Sequence, residues 1–266
     1  MTIDFHTHCF PDALAAKALP VLAAAGNIPP ALDGTLAALE ASMAEAGVDR
    51  SVMLQIAVKP TQNKTVNNWA IERLALNPRV IPFGSVHPLS DDWRAELDRL
   101  AEAGVKGVKF HPEYQQVYVN DPLMLPIYDK LSALGLVAVF HAGADIGVPP
   151  PIHSRPEHFA AAVERLPRGR TVLAHFGGWK LWDDVERHLA GSHVFMDTSF
   201  CGRYMAPEKM RSLIEKHGAD KFLFGSDSPW APQTEALDDI KSLRLAPDDE
   251  AAILGGNAER LLGISC

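Results

Sequence analysis

A closed (β/α)8 barrel, one α/β domain over residues 1–266, is the architecture the sequence predicts, on three observations. Eight short apolar segments recur along the 266 residues, each bounded by Gly, Pro or charged residues. Helix-like stretches separate most of them, and strand followed by helix forces neighbouring strands to run parallel. No Gly-rich dinucleotide turn follows the first segment, so an open doubly wound sheet, which shares the local signals, fits less well.

The expected strands are 2–8, 50–57, 80–87, 107–111, 136–141, 171–175, 193–199 and 221–227. Runs such as Leu136 to Phe140 are almost wholly apolar, as strands covered on both faces must be. Between them, 35–46 places Leu36, Leu39 and Met43 at helical spacing, with Gly47 as its stop. A second helix, 67–76, carries Trp69 and Arg73 and ends at Asn77-Pro78. The stretch 90–103 opens on Ser90 as N-cap and an acidic turn at Asp91 and Asp92, and ends at Gly104. Helix 121–134 closes at Gly135; 157–166, 181–189, 207–217 and 234–242 complete the set, and a last helix, 248–262, caps the barrel. Residues 9–34 form an excursion after the first strand. The Pro-rich stretch 148–156 is a long loop after the fifth, where such barrels carry function.

A hydrophobic content of 47% supports a sizeable core, and a net charge of -8 leaves no basic footprint for nucleic acid or an anionic membrane. No apolar run approaches a membrane span. Cys9, Cys201 and Cys266 are few, odd in number and scattered, which points to a reducing compartment. Strand-like sequence begins at Ile3 with no charged and apolar leader before it. The expectation is a soluble cytoplasmic protein.

In the first strand, Asp4, His6 and His8 alternate, so all three are expected on one face, with two imidazoles converging on one point. Neutral imidazole is a common ligand for divalent first-row metals. On its own the pair is two polar residues at a strand end. Polar residues also close other strands: Lys109 and His111 the fourth, His141 the fifth, His175 the sixth, Asp227 the eighth. Side chains at the carboxyl ends of barrel strands converge on the axis even when remote in sequence. Singly, His141 and His175 read as buried histidines bonded to backbone and Asp227 as a helix N-cap. Together, so many unpaired ionisable groups are costly to bury without an ion or substrate.

This ordered set resembles the amidohydrolase superfamily of metal-dependent TIM-barrel enzymes, in its amidohydrolase-2 branch, and is similar to the aminocarboxymuconate semialdehyde decarboxylase group and its hydrolase relatives. The segments Phe140-His-Ala-Gly, His175-Phe-Gly-Gly-Trp, Phe224-Gly-Ser-Asp-Ser-Pro-Trp and Gly256-Asn-Ala-Glu-Arg-Leu-Leu-Gly carry the resemblance over nearly the whole chain. It implies that His6, His8, His141 and Asp227 bind one divalent metal, zinc first and manganese as the alternative, with one ion favoured over two. It further implies that Asp227 doubles as general base and that His175 hydrogen-bonds the water or the substrate. Lys109 stands where binuclear members carry a carboxylated lysine bridging two metals, which would make His175 a ligand of the second ion. The other reading pairs Lys109 with an anionic substrate or with a carboxylate such as Asp4 or Glu113.

His111 is a contact to substrate or metal. Arg203 is a clamp for a substrate carboxylate or a solvated surface arginine. Trp179 and Trp230 wall an apolar pocket or simply pack, His87 lines the site rim, and His153, His158, His188 and His217 are surface or capping residues. The implied function is a metal-dependent hydrolase whose activated water attacks a carbonyl, in an ester, lactone or amide of a small, anionic or cyclic substrate. The alternative is non-oxidative decarboxylation of an aromatic or unsaturated acid. A non-catalytic metal- or ligand-binding barrel is the third reading. The shortness of 9–34 favours hydrolysis, because decarboxylases of the group tend to carry a longer excursion there. The expected partners are a small-molecule substrate and a second copy in a homodimer, through loop residues such as Ile146, Val148 and Ile152; no nucleic acid and no membrane is expected.

Overall fold

The computed structural model describes residues 1–264; Cys266 lies outside them. Eight parallel strands form, β1 (Ile3–Thr7), β2 (Arg50–Leu54), β3 (Val80–Phe83), β4 (Gly107–Phe110), β5 (Val137–Phe140), β6 (Thr171–Leu173), β7 (Phe195–Asp197) and β8 (Phe222–Leu223). They pair in chain order as two runs, β1 to β3 and β4 to β8. Gly84 N donates to Gly107 O at 3.0 Å, joining β3 to β4, and Phe5 N donates to Phe224 O at 2.7 Å, closing β8 onto β1. The result is the expected closed α/β barrel in a single domain.

The helices are α1 (Asp12–Gly26), α2 (Leu36–Ala46), α3 (Asn63–Leu74), α4 (Trp93–Glu102), α5 (Pro112–Gln115), α6 (Leu125–Leu134), α7 (Pro156–Ala162), α8 (Trp182–His188), α9 (Pro207–His217), α10 (Gln233–Ser242), α11 (Pro247–Ala251) and α12 (Asn257–Leu262). Thr35 caps α2 by accepting from Ala38 N at 3.2 Å, and Gly47 ends it in the left-handed region. Three expectations are corrected. Residues 9–34 hold a 15-residue helix, α1. Ser90 does not cap α4, which starts at Trp93, because its hydroxyl is engaged by Asn63 Nδ2 at 2.5 Å and by Asp92 Oδ1 at 2.9 Å. The final helix is split by a π turn, Ala252–Gly256, where Ile253 O accepts from Phe224 N at 2.9 Å and so ties the tail to the end of β8.

Every strand stops short of its expected carboxyl end. His175, Phe176 and Asp227 take φ of 58°, 55° and 68°. That left-handed backbone cannot continue a ladder, and it turns the functional residues out of the strands. Inside the barrel, Ile3, Phe5, Val52, Ile81, Val139 and Val172 form an apolar plug that α12 closes with Leu261 and Leu262. No helix among the described residues is long and apolar enough to cross a membrane.

Candidate active site

The pairing of β1 with β2 slips between Asp4 and Thr7. Strict alternation therefore fails, and Asp4 does not join the two histidines. It is buried elsewhere, accepting from Ser226 N (3.0 Å), Ser226 Oγ (2.6 Å) and Gln233 Nε2 (2.7 Å). His6 Nδ1 lies 2.7 Å from Asp197 Oδ2 and His8 Nδ1 2.9 Å from Leu54 O. Both partners accept only, which assigns the protons to Nδ1 and leaves both Nε2 atoms bare.

Those two Nε2 atoms stand 3.2 Å apart, and Asp227 Oδ1 is 3.3 Å from the first and 3.2 Å from the second. Lone pairs so close repel unless something positive lies between them. Lys109 Nζ, 3.2 Å from His6 Nε2, can donate to that nitrogen, which still leaves His8 Nε2 and Asp227 Oδ1 facing each other. A tetrahedral ion with bonds of about 2.0–2.1 Å has ligand-to-ligand edges of about 3.3 Å, so the three atoms fit a divalent metal such as zinc. Protonation agrees. Burial, with Lys109 nearby, pushes His6 down to about 3, so it is the neutral imidazole a metal requires. Burial opposes the charge on Asp227, but the surrounding imidazoles outweigh it and hold the carboxyl at about 2. Burial pushes Lys109 down to about 8.

His175 follows β6. Its backbone N–H donates to Asp197 Oδ1 at 3.0 Å and its Nδ1 lies 3.1 Å from Ser199 O, so its Nε2 is bare. That atom faces His141 Nδ1 at 3.2 Å. His141 Nε2 is directed at Ala144 O at 3.2 Å, so its Nδ1 is bare as well. The structure does not bring His141 into the group of His6, His8 and Asp227. It stacks on His111, centroids 4.3 Å apart, and with His111 and Asp145 makes a second set of possible ligands. The cause lies in the following loop. Gly143, at φ 88°, pairs with Trp179 so closely that a Cβ there would sit 2.2 Å from Trp179 N, and the turn this permits lays Ala144 O on the imidazole.

His111 sits between Tyr114, stacked at 3.9 Å, and Asp145, whose Oδ2 is 3.3 Å from Nε2. Glu113 does not meet Lys109 but accepts from Ser154 Oγ at 2.8 Å, and burial raises it to about 7. Arg203 is not at the site: exposed, it grips Glu235 through Nε (2.5 Å) and Nη2 (2.6 Å), because α10 presents that carboxylate beside it. His87 is buried away from the cavity, its Nδ1 accepting from Leu89 N at 3.2 Å. His217, expected as a surface or capping residue, is the last residue of α9 and is buried, with Nε2 2.8 Å from Val194 O.

Two elements escaped the sequence reading. Asp197 ends β7, is fully buried, and orients His6 through its ring and His175 through its backbone; burial opposes its charge, but the contacts with His6, with His175 and Lys109 nearby, outweigh that and hold the carboxyl well below the ordinary carboxylate range. It carries the positional signal that found the others, a carboxylate at a strand's carboxyl end. The second is α1, which walls a cavity of about 600 Å³ above the site; Trp179 and Trp230 line it too. Of the loop residues considered for a dimer face, Ile146 is exposed but lines this cavity, and Val148 and Ile152 are half-buried.

The family model for amidohydrolases matches residues 3–264. The chain therefore belongs to the amidohydrolase family, whose members depend on metal ions. In fold it is similar to 5-carboxyvanillate decarboxylase from Sphingomonas paucimobilis, at 18% identity, with 99% of each chain covered and a TM-score of 0.73. It is also similar to a dihydroxybenzoic acid decarboxylase from a Polaromonas species with bound manganese, at 16% identity over 98% of this chain and 96% of that one, TM-score 0.71. A probable 2-pyrone-4,6-dicarboxylic acid hydrolase from Acinetobacter baumannii follows at 18% identity, 99% of each chain and a TM-score of 0.69. No curated protein matches it significantly.

Proposed function

We propose that this amidohydrolase-family protein is a hydrolase that holds one divalent ion and cleaves an ester, lactone or amide of a small cyclic substrate. The observation that carries the reading is the convergence of His6 Nε2, His8 Nε2 and Asp227 Oδ1 at 3.2–3.3 Å. His141, the fourth ligand that the resemblance implies, would join the set only by turning its bare Nδ1 away from His175 Nε2. Zinc suits the nitrogen and carboxylate donors and their spacing; manganese, bound in the similar Polaromonas decarboxylase, is the alternative.

The ion, when bound, supplies a Lewis acid that polarises a carbonyl and acidifies water. The chain supplies the rest. Asp227 stays ionised across the neutral range, so Oδ2 can take the proton of the attacking water and pass it to the leaving group. His175 Nε2, held bare by the contact of Nδ1 with Ser199 O, accepts a hydrogen bond from that water. Lys109 contributes positive charge beside His6, where the carbonyl oxygen becomes negative.

Decarboxylation would need a cation to clamp the departing carboxylate. Among the described residues no arginine lines the cavity, Lys109 is engaged with His6, and Lys17 sits at the mouth. Hydrolysis is the better reading. A panel of esters, lactones, amides and hydroxybenzoates tests it: the first three classes should be hydrolysed, and carbon dioxide released from hydroxybenzoates alone would overturn it. Two further readings accompany it. Buried, unpaired Cys9 and Cys201 support a cytoplasmic location, and a homodimer is to be tested by light scattering.

A further inference from the structure

Eight large apolar side chains are exposed among the described residues, and four of them line one cavity: Leu14 (48%), Val21 (68%), Val58 (37%) and Ile146 (43%). Two belong to α1. Along that helix Leu14, Ala18 and Val21 recur at the spacing of a single face, and all three border the cavity. An apolar helical stripe normally serves the core. Here α1 buries only Ala15 and Leu19, and the stripe of Leu14, Ala18 and Val21 is turned to an open space. Below the rim, Ile56, Val66 and Trp69 continue the apolar wall toward the strand ends.

Charge of both signs borders the cavity, Lys17 and Lys109 beside Asp145 and Asp227. The cavity, about 600 Å³, has the size that houses ligands larger than a single ring.

We propose that the substrate carries an extended apolar substituent, which runs from the group of His6, His8 and Asp227 along α1 to the mouth and covers Leu14 and Val21. The helix α1 is then the element that sets specificity. For the bond that is cleaved this rests on the hydrolase reading; for what is bound it does not.

The test uses zinc-loaded protein and unhydrolysable neutral carbonyl probes, the alkyl phenyl ketones from methyl to heptyl. Trp69, Trp179 and Trp230 line the cavity, so binding can be followed by tryptophan fluorescence. The dissociation constant should fall about fourfold per added methylene until the chain reaches the mouth. Val21→Asp and Ile146→Asp, both at exposed positions, should each lower the ratio of heptyl to methyl affinity. Affinity independent of chain length, or an unaltered ratio in both variants, would overturn the proposal. Graded ketone binding with no ester hydrolysed would uphold it and remove the hydrolase reading; ester hydrolysis without chain-length dependence would do the reverse.

Discussion

The two ends of the barrel are built on opposite terms. At the amino ends of the strands, Ile3, Val52 and Val172 pack with Leu261 and Leu262, and nothing polar is asked of the interior. At the carboxyl ends five imidazoles follow one another, His8, His6, His175, His141 and His111, with successive ring centroids 5.1, 5.1, 4.9 and 4.3 Å apart. Bare nitrogens face each other at 3.2 Å in two places. His175, Phe200 and Asp227, all bordering the cavity, take left-handed backbone, which costs a side chain of that size about 1 kcal/mol or more. One end contributes stability, and the other stores unfavourable contacts that a bound ion would relieve. Mutations should therefore separate cleanly, activity falling at one end and stability at the other.

The largest separation is expected at Asp227. Asp227→Asn keeps the shape but removes the charge that accepts a proton, and turnover should fall by about 10²- to 10⁴-fold. The urea midpoint of the metal-free protein should hold or rise, because one of three mutually facing lone-pair groups is weakened. Loss of stability as large as the loss of rate would break the division between the two ends.

Ile3→Ala is the mirror experiment. Ile3 is fully buried in the apolar plug, so the truncation should cost about 2–5 kcal/mol in unfolding free energy, while kcat of the folded fraction stays near that of the parent. A matching fall in kcat would show that the two ends are coupled.

A smaller effect separates a structural histidine from those of the site. Burial holds His217 at about 4, below the ordinary 6.5, so the unfolded chain takes up the proton first. Its contribution is present above pH 6.5 and is lost as pH falls from 6.5 toward 4, by about 3 kcal/mol at most. His217→Gln can keep a donor toward Val194 O without the titration. The stability difference between parent and variant should shrink or reverse across that window, and a constant difference would place the acid sensitivity elsewhere.

Much of the site was legible because its residues share one physical oddity, a polar side chain closing an otherwise apolar strand. That alone placed His6, His8, Lys109, His111, His141, His175 and Asp227 at one end of the barrel. Other features depended on partners that no local pattern announces. The slip after Asp4 appears only in the pairing with β2. Arg203 is taken by Glu235, 32 residues on, and His217 by a carbonyl on another segment. The helix α1 was hidden because Pro20 lies inside it and its apolar stripe faces a cavity, so it lacks the regular core signature.

On the proposed function, the facing nitrogens and carboxylate await a cation. Protein prepared with zinc, assayed for metal content and examined by anomalous diffraction, tests it directly. One ion per chain is expected, bonded to Nε2 of His6, Nε2 of His8 and Oδ1 of Asp227. Two ions bridged by a carboxylated Lys109 would contradict the single-ion assignment and move His175 into the ligand set, and side chains turned apart with no ion between them would contradict the claim itself.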